Sequence, residues 1–217
     1  MTKSGAGTWA LSNANTYSGT TTLSGGKLVA SHPNALGTST IFFTGNTTST
    51  LELNHNGEGS PAHSVGAGSG AAATFVLGAG PAGVNHAFGD FAISLVTLSS
   101  LKGTNVTSGE TSMTLASLNL SAGSGGTTTL NPLDASMRIG PVSILSNPNP
   151  KTLKLDGTNA LNTISGCMSN GPNAVSVLTV LKDNTSAWTL SGSNSYSGAT
   201  TINKGLLSLE GADGERP

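Results

Sequence analysis

Apolar and polar residues alternate in short runs along the whole chain. Leu51 and Leu53 flank Glu52, Leu118 and Leu120 flank Asn119, and Leu153 and Leu155 flank Lys154. Period-two patterning of this kind puts one face of a strand in a core and the other in water. Strand-like runs lie at Thr40–Phe43, Thr50–Leu53, Thr74–Leu77, Phe91–Leu98, Met113–Leu120, Thr127–Leu130, Met137–Leu145, Thr152–Leu155, Thr163-Ile164 and Val175–Leu181. Gly, Asn, Ser or Pro separate most of them, which is turn chemistry. The best stretch for a helix, Asn85 to Leu101, is interrupted by Gly89 and rich in β-branched residues, so no helix is expected.

One long-range repeat stands out. Residues 3–30 recur at 182–209 with an ungapped offset of 179. Lys3, Trp9, Leu11, Ser12, Asn15, Tyr17, Ser18, Gly19, Thr21, Thr22, Gly26 and Leu28 return as Lys182, Trp188, Leu190, Ser191, Asn194, Tyr196, Ser197, Gly198, Thr200, Thr201, Gly205 and Leu207. Every Trp and Tyr of the chain lies inside these copies. Each reads as strand, turn, strand, turn, in steps of roughly ten residues.

Composition narrows the fold. Gly, Ser, Thr and Asn number 30, 30, 29 and 19 among 217 residues, half the chain, whereas charged residues are only 9%. A parallel β-helix accounts for this. Stacked rungs bury inward Val, Leu, Ile and Ala; outward Thr and Ser need no charge; Asn and Gly turn the corners. The expected fold is all-β, a right-handed single-stranded parallel β-helix of about nine rungs, at roughly 20–25 residues per rung. Residues 1–210 are expected to form one such segment, with 211–217 as a disordered tail.

The two copies resemble the autotransporter-associated β-strand repeat, or passenger-associated transport repeat. Its pattern reads approximately L-x-K-x-G-x-G-x-W-x-L-S-G-x-N-x-Y-x-G-x-T-T-[VI]-x-x-G-x-L. The first copy keeps Lys3, Gly5, Gly7, Trp9, Leu11, Ser12, Asn15, Tyr17, Gly19, Thr21, Thr22, Gly26 and Leu28, but has Asn13 and Leu23 where Gly and a β-branched residue are usual. The second keeps Gly192 and Ile202, but has Asn184 and Ser186 at the two leading glycines. Asn162–Gly166 looks like the stretch that precedes such a repeat, and Asn34–Leu53 like the stretch that follows one. The resemblance implies a passenger segment of a secreted or surface-attached bacterial protein, associated with export and building a stalk. It implies no catalytic residues.

The candidates for chemistry are few. Gly78-Ala79-Gly80-Pro81-Ala82-Gly83 after Thr74–Leu77 imitates a dinucleotide fingerprint, but that motif needs a following helix and an acid about 20 residues on. Val84–Gly89 is a poor helix and no acid lies between Asp90 and Glu110, so a solenoid corner is expected. His55 and His63, near Glu52 and Glu58, read as a polar loop rather than a metal site; His32 and His86 complete the four histidines. Cys167 reads as a small buried thiol. Asp90, Glu110, Asp134, Asp156 and Asp183 recur about one rung apart, so they could stack into a ladder that Arg138 joins. The Trp and Tyr residues are expected to pack between rungs. Asn-x-Ser/Thr triplets at Asn46, Asn105, Asn119 and Asn184 follow from composition alone.

Nine basic residues against ten acidic ones give no electrostatic grip on nucleic acid, and no apolar run is long enough for a transmembrane helix. The expectation, implied by the resemblance, is an extracellular or cell-surface structural segment with an adhesive surface. It is not an enzyme, and no catalytic, cofactor-binding or metal-ligating residue is assigned. Its partners would be flanking repeats of the same polypeptide and a glycan or other cell-surface ligand. The alternative is a carbohydrate-binding or polysaccharide-degrading β-helix.

Overall fold

The computed structural model describes residues 1–57, 61–78, 80–120, 125–145 and 149–210. Among them there is no helix, and the strands form two parallel sheets. Numbered in chain order, the larger sheet holds β1 (Thr2–Ser4), β3 (Thr21–Ser24), β5 (Ile41–Phe43), β7 (Val65–Ala67), β9 (Asn85–Ile93), β11 (Ser112–Leu120), β13 (Ser136–Ile139), β16 (Asn162–Ile164), β18 (Ala187–Leu190) and β20 (Leu206–Leu209), stacked in that order. An eleventh strand, β14 (Val142–Ile144), also pairs with β11. The smaller sheet stacks β2 (Thr8–Leu11), β4 (Gly26–Ala30), β6 (Thr48–Leu53), β8 (Ala72–Leu77), β10 (Thr97–Lys102), β12 (Gly126–Pro132), β15 (Lys151–Leu155), β17 (Leu178–Lys182) and β19 (Thr200–Ile202). The chain passes from one sheet to the other at nearly every corner and climbs one strand per turn. This is the expected parallel β-solenoid, with eight to nine turns.

The turns are less uniform than the expected repeat length. Register partners lie 19 residues apart at Ala187↔Leu206 but 32 apart at Thr97↔Thr129. The excess length leaves the sheets and forms the corners. Between the sheets, every second strand residue points inward. Leu28, Leu51 and Phe75 stack in register in one sheet, and Phe91, Leu118 and Val142 in the other; all are fully buried. Phe43, Phe75, Phe88 and Phe91 form a continuous aromatic group, with neighbouring ring centroids 5.1–6.0 Å apart. Each rung alone would leave such side chains half wet, so stability comes from stacking.

Several expected runs change at their ends. The stretch Asn85 to Leu101 is β9, a turn and the start of β10, with Leu95 in left-handed backbone (φ 53°) at the break. Met137–Leu145 is split at Gly140-Pro141: Pro141 has no N–H to give a ladder, and a side chain on Gly140 would meet the Ala116 carbonyl. Val175 and Ser176 lie outside β17. β7, centred on Gly66, has too little apolar pattern to be seen in the sequence, and its glycine makes room for Phe42, whose ring a Cβ there would meet at 2.8 Å.

Candidate functional site

The two repeat copies share their local geometry. In the first, β1 pairs with β3 and β2 with β4, with Lys3 opposite Leu23 and Trp9 opposite Leu28. In the second, β17 pairs with β19 and β18 with β20, with Lys182 opposite Ile202 and Trp188 opposite Leu207. The register is conserved residue for residue. The sheets, however, are exchanged: Lys3 is in the larger sheet and Lys182 in the smaller. The copies are half a turn out of phase.

Both lysines are fully buried, and the hydrogen bonds of their ammonium groups go to backbone carbonyls. Lys3 Nζ donates to the carbonyls of Ser4 (2.9 Å), Gly5 (2.7 Å) and Gly25 (3.0 Å). Lys182 Nζ donates to those of Asp183 (2.6 Å), Asn184 (3.1 Å) and Lys204 (3.2 Å). These are the same three positions of the repeat. An ammonium group has three protons, and each finds an acceptor, which is what burying a charge requires. Two acceptors belong to the lysine's own corner and the third to the corner one turn above, so the side chain clips two turns together. Burial also pushes the Lys182 pKa down.

The corner that receives the ammonium is shaped by left-handed backbone. Gly5 has φ 71° and its counterpart Asn184 φ 57°. Asn visits this region more easily than most side chains, so the departure from the repeat pattern keeps the turn. One turn above, Gly26 (φ 67°) and Gly205 (φ 77°) are equivalent, and a Cβ at either would meet two carbonyls of the turn below at about 2.5 Å. Tyr17 and Tyr196 close the same unit through hydroxyl contacts with Thr21 (3.0 Å) and Thr200 (2.7 Å).

The tryptophans differ. Trp188 is buried against the preceding turn, and its Nε1 donates to the Asp156 carbonyl (3.3 Å). Trp9 is half exposed, with Lys3 Nζ 5.8 Å from its ring centroid, because β2 is an outermost strand of its sheet among the described residues. Packing between rungs therefore describes Trp188 and not Trp9.

The five acids do not form one ladder. Asp90 accepts from Ser117 Oγ (2.7 Å) on the larger sheet. Glu110 is held by Arg138 (2.7 Å) and Ser136 (2.8 Å), so Arg138 joins Glu110 and not Asp134. Asp134 accepts from the Lys102 backbone N–H (2.6 Å). Asp156 and Asp183, on consecutive turns, are bridged by Lys154 at 2.8 and 3.3 Å. The Arg138 and Ser136 hydrogen bonds pull the Glu110 pKa down. Burial pushes that of Asp156 up, but Lys154 and the Gly157 N–H outweigh it and leave it lowered. The Asn184 N–H and Lys154 lower that of Asp183. These three carboxyls are thus held ionised, the opposite of what a general acid needs.

A shallow depression of about 370 Å³ crosses three strands of the larger sheet, lined by Asn85, Glu110, Ser112, Thr114 and Arg138. Asn85 Oδ1 accepts from both Ser112 Oγ (2.8 Å) and Thr114 Oγ1 (2.9 Å). The lining carries amide, hydroxyl, carboxylate and guanidinium groups and no aromatic ring.

The histidines correct the expected polar loop. His55, His63 and His86 are buried, and the rings of His55 and His86 meet edge to face at 4.9 Å. His63 Nδ1 contacts the Ser39 carbonyl (2.8 Å). Burial lowers all three pKa values, those of His55 and His86 to about 4, with neighbouring histidines adding to the effect. Glu52 turns away to pair with Lys27 (2.9 Å), and Glu58 lies outside the described residues. Among the described residues no group of three or more His, Cys, Asp or Glu is placed to hold a metal. Cys167 is partly exposed, not buried, and contacts Ser195 Oγ at 3.8 Å.

The glycine-rich segment also lacks the context of a nucleotide site. After Gly83 comes strand β9, not a helix, and Gly83 lies tight against the Glu110 carbonyl of the next turn. Ala79 of that motif lies outside the described residues.

In comparison with known families, residues 1–30 and 180–209 match the model of the passenger-associated-transport-repeat. The matched segments are the two copies whose lysine corners coincide. Neither curated proteins nor solved structures gave a match.

Proposed function

We propose, from these two passenger-associated-transport repeats, that the chain is a structural passenger segment of a secreted or surface-attached bacterial protein of autotransporter type. The observation that carries this reading is the identical lysine-anchored register of the two copies. The segment acts as a stalk. Parallel rungs joined by backbone hydrogen bonds and apolar stacking resist unfolding, and rungs added one on another give folding outside the cell a direction. Low charge and few titratable groups suit a scaffold rather than an enzyme, and the lowered carboxyl pKa values support a non-catalytic role.

The test is export. The chain is placed between a secretory signal and a translocating β-barrel in a Gram-negative host, and intact cells are treated with protease. Surface-exposed, protease-resistant protein is expected. Retention of the folded chain inside the cell, when a known passenger in the same fusion is exported, would overturn the reading.

A second reading is favoured by the depression at Asn85, Glu110, Thr114 and Arg138, whose mixed donors and acceptors suit the hydroxyls of a glycan. In that reading the stalk is also adhesive. Glycan-array binding lost on Arg138→Ala would support it, and an array without binders would count against it.

A further inference from the structure

The depression at Asn85, Glu110, Ser112, Thr114 and Arg138 is built by three successive turns. Asn85, Ser112 and Ser136 are register partners on β9, β11 and β13, and Thr114 and Arg138 are partners two residues further along. Neighbouring strands lie about 4.8 Å apart, so the opening spans roughly 10 Å along the solenoid axis. Glu110 precedes β11 and reaches the next turn, at Ser136 and Arg138. Ser112 is buried at the floor, and Asn85 and Arg138 stand exposed on either side of it.

The hydrogen bonds already made decide what the depression can offer a guest. Asn85 Oδ1 accepts from both Ser112 Oγ and Thr114 Oγ1, so its lone pairs are used and its two amide N–H groups remain. Arg138 gives one N–H from Nη2 to Glu110 Oε1, and among the described residues its other N–H groups give none. Glu110 Oε1 accepts from Arg138 and from Ser136 Oγ, whereas Oε2 accepts no hydrogen bond among the described residues. Spare donors on two sides thus stand about one charged acceptor.

We propose that this depression takes a single neutral sugar unit through a pair of adjacent hydroxyls, and that Glu110 is the residue that turns acidic sugars away. The inference rests on the adhesive reading above and gives it a ligand class. A hydroxyl both donates and accepts. One hydroxyl of the pair gives its proton to Glu110 Oε2 and accepts from Arg138, and its neighbour accepts from the Asn85 amide. Hydrogen bonds linked in this way polarise and strengthen one another. A sugar carboxylate can only accept; it would suit the two donors but set its charge against that of Glu110 in the same space. An amino sugar would set its charge against Arg138. Lys102, the other cation near Glu110, is turned to the Gly109 carbonyl (3.1 Å). Without an aromatic ring in the lining, one unit is held by hydrogen bonds alone and weakly, so attachment relies on many copies of the sugar on the facing surface.

The test titrates methyl glycosides of glucose, mannose and galactose into the isotopically labelled full chain, alongside the matching uronides, which carry a carboxylate in place of the primary alcohol. The side-chain amide NMR signals of Asn85 report occupancy of this place. At least one neutral glycoside is expected to shift them, and its uronide to bind at least about tenfold more weakly. Glu110→Gln keeps the oxygen that faces Arg138 and Ser136 but puts an N–H donor where Oε2 was, so the uronide should then bind better than its neutral partner. Asn85→Ala, followed by the Thr114 backbone amide, should weaken the neutral sugar without inverting the preference. Asp90→Asn removes a carboxylate elsewhere on the same sheet and leaves both affinities unchanged. The NMR spectrum of each variant shows whether it is folded, and the wild-type comparison decides by itself if Glu110→Gln is not. A uronide that binds wild type as tightly as its neutral partner, or a folded Glu110→Gln that keeps the neutral preference, would overturn the proposal and leave the adhesive reading standing. If no glycoside of either kind moves the Asn85 signals, both fall.

Discussion

Asn184 occupies the left-handed backbone conformation that Gly5 occupies 179 residues earlier, and the carbonyl of each accepts a hydrogen bond from the buried lysine two positions before it. The corner is thus set by φ and not by the absence of a side chain. Asn184→Gly should leave stability within about 1 kcal/mol of wild type, whereas Asn184→Val should cost roughly 1–2 kcal/mol, because a β-branched residue is strained there. Chemical denaturation of the two variants side by side checks this.

Lys182→Met should be among the most damaging single changes in the chain. It keeps the apolar stem and removes the donor of three buried hydrogen bonds. Leaving those carbonyls without the ammonium should cost about 3 kcal/mol or more, since hydrogen bonds to charged groups contribute roughly 1.5–3 kcal/mol each and do not add fully. The denaturation midpoint reads the loss. A midpoint equal to that of wild type would show that the corner does not depend on the lysine.

The paired tryptophans give an internal control. Trp188→Ala should lower stability by about 3 kcal/mol or more, from lost burial and the cavity left behind. Trp9→Ala, at a half-exposed site, should cost well under half of that.

Acid should weaken the fold in two stages. The pKa values of His55 and His86 lie near 4 in the folded chain and near 6.5 in the unfolded one. As pH falls below 6.5 the unfolded chain takes up protons first, so stability is full above that pH and declines toward pH 4. His32 and His63 face His55 and steepen the effect. Glu110 and Asp156 have lowered pKa values, so their contribution disappears only as pH falls further, through the carboxylate range. Stability measured against pH should show both slopes, and His86→Gln should flatten the first and leave the second.

Much of this architecture was legible before any coordinates. Period-two runs marked most strands, and the 179-residue offset marked which positions of the two copies correspond. The half-turn phase was hidden, because it depends on the summed corner lengths between the copies, and a corner such as residues 103–111, between β10 and β11, adds length without changing the strand pattern. The histidines were misread because they lie among Gly and Asn, where polarity suggests water, while their burial comes from neighbouring turns. Arg138 was expected to join a ladder of acids without a named partner, and in the solenoid its partner is the neighbour across a rung, Glu110, rather than the acid nearer in sequence, Asp134. The role of the repeat lysine had no sequence signal beyond its recurrence, since its partners are backbone carbonyls.

The lysine clip bears on how such a rod comes apart. A stacked coil is expected to open from its ends, one rung at a time, like a spring losing turns. Lys3 and Lys182 each tie one corner to the corner of the next turn through an ion that would be stranded if the tie let go. Parting those turns is therefore penalised, and each copy acts as a ferrule at its place along the rod.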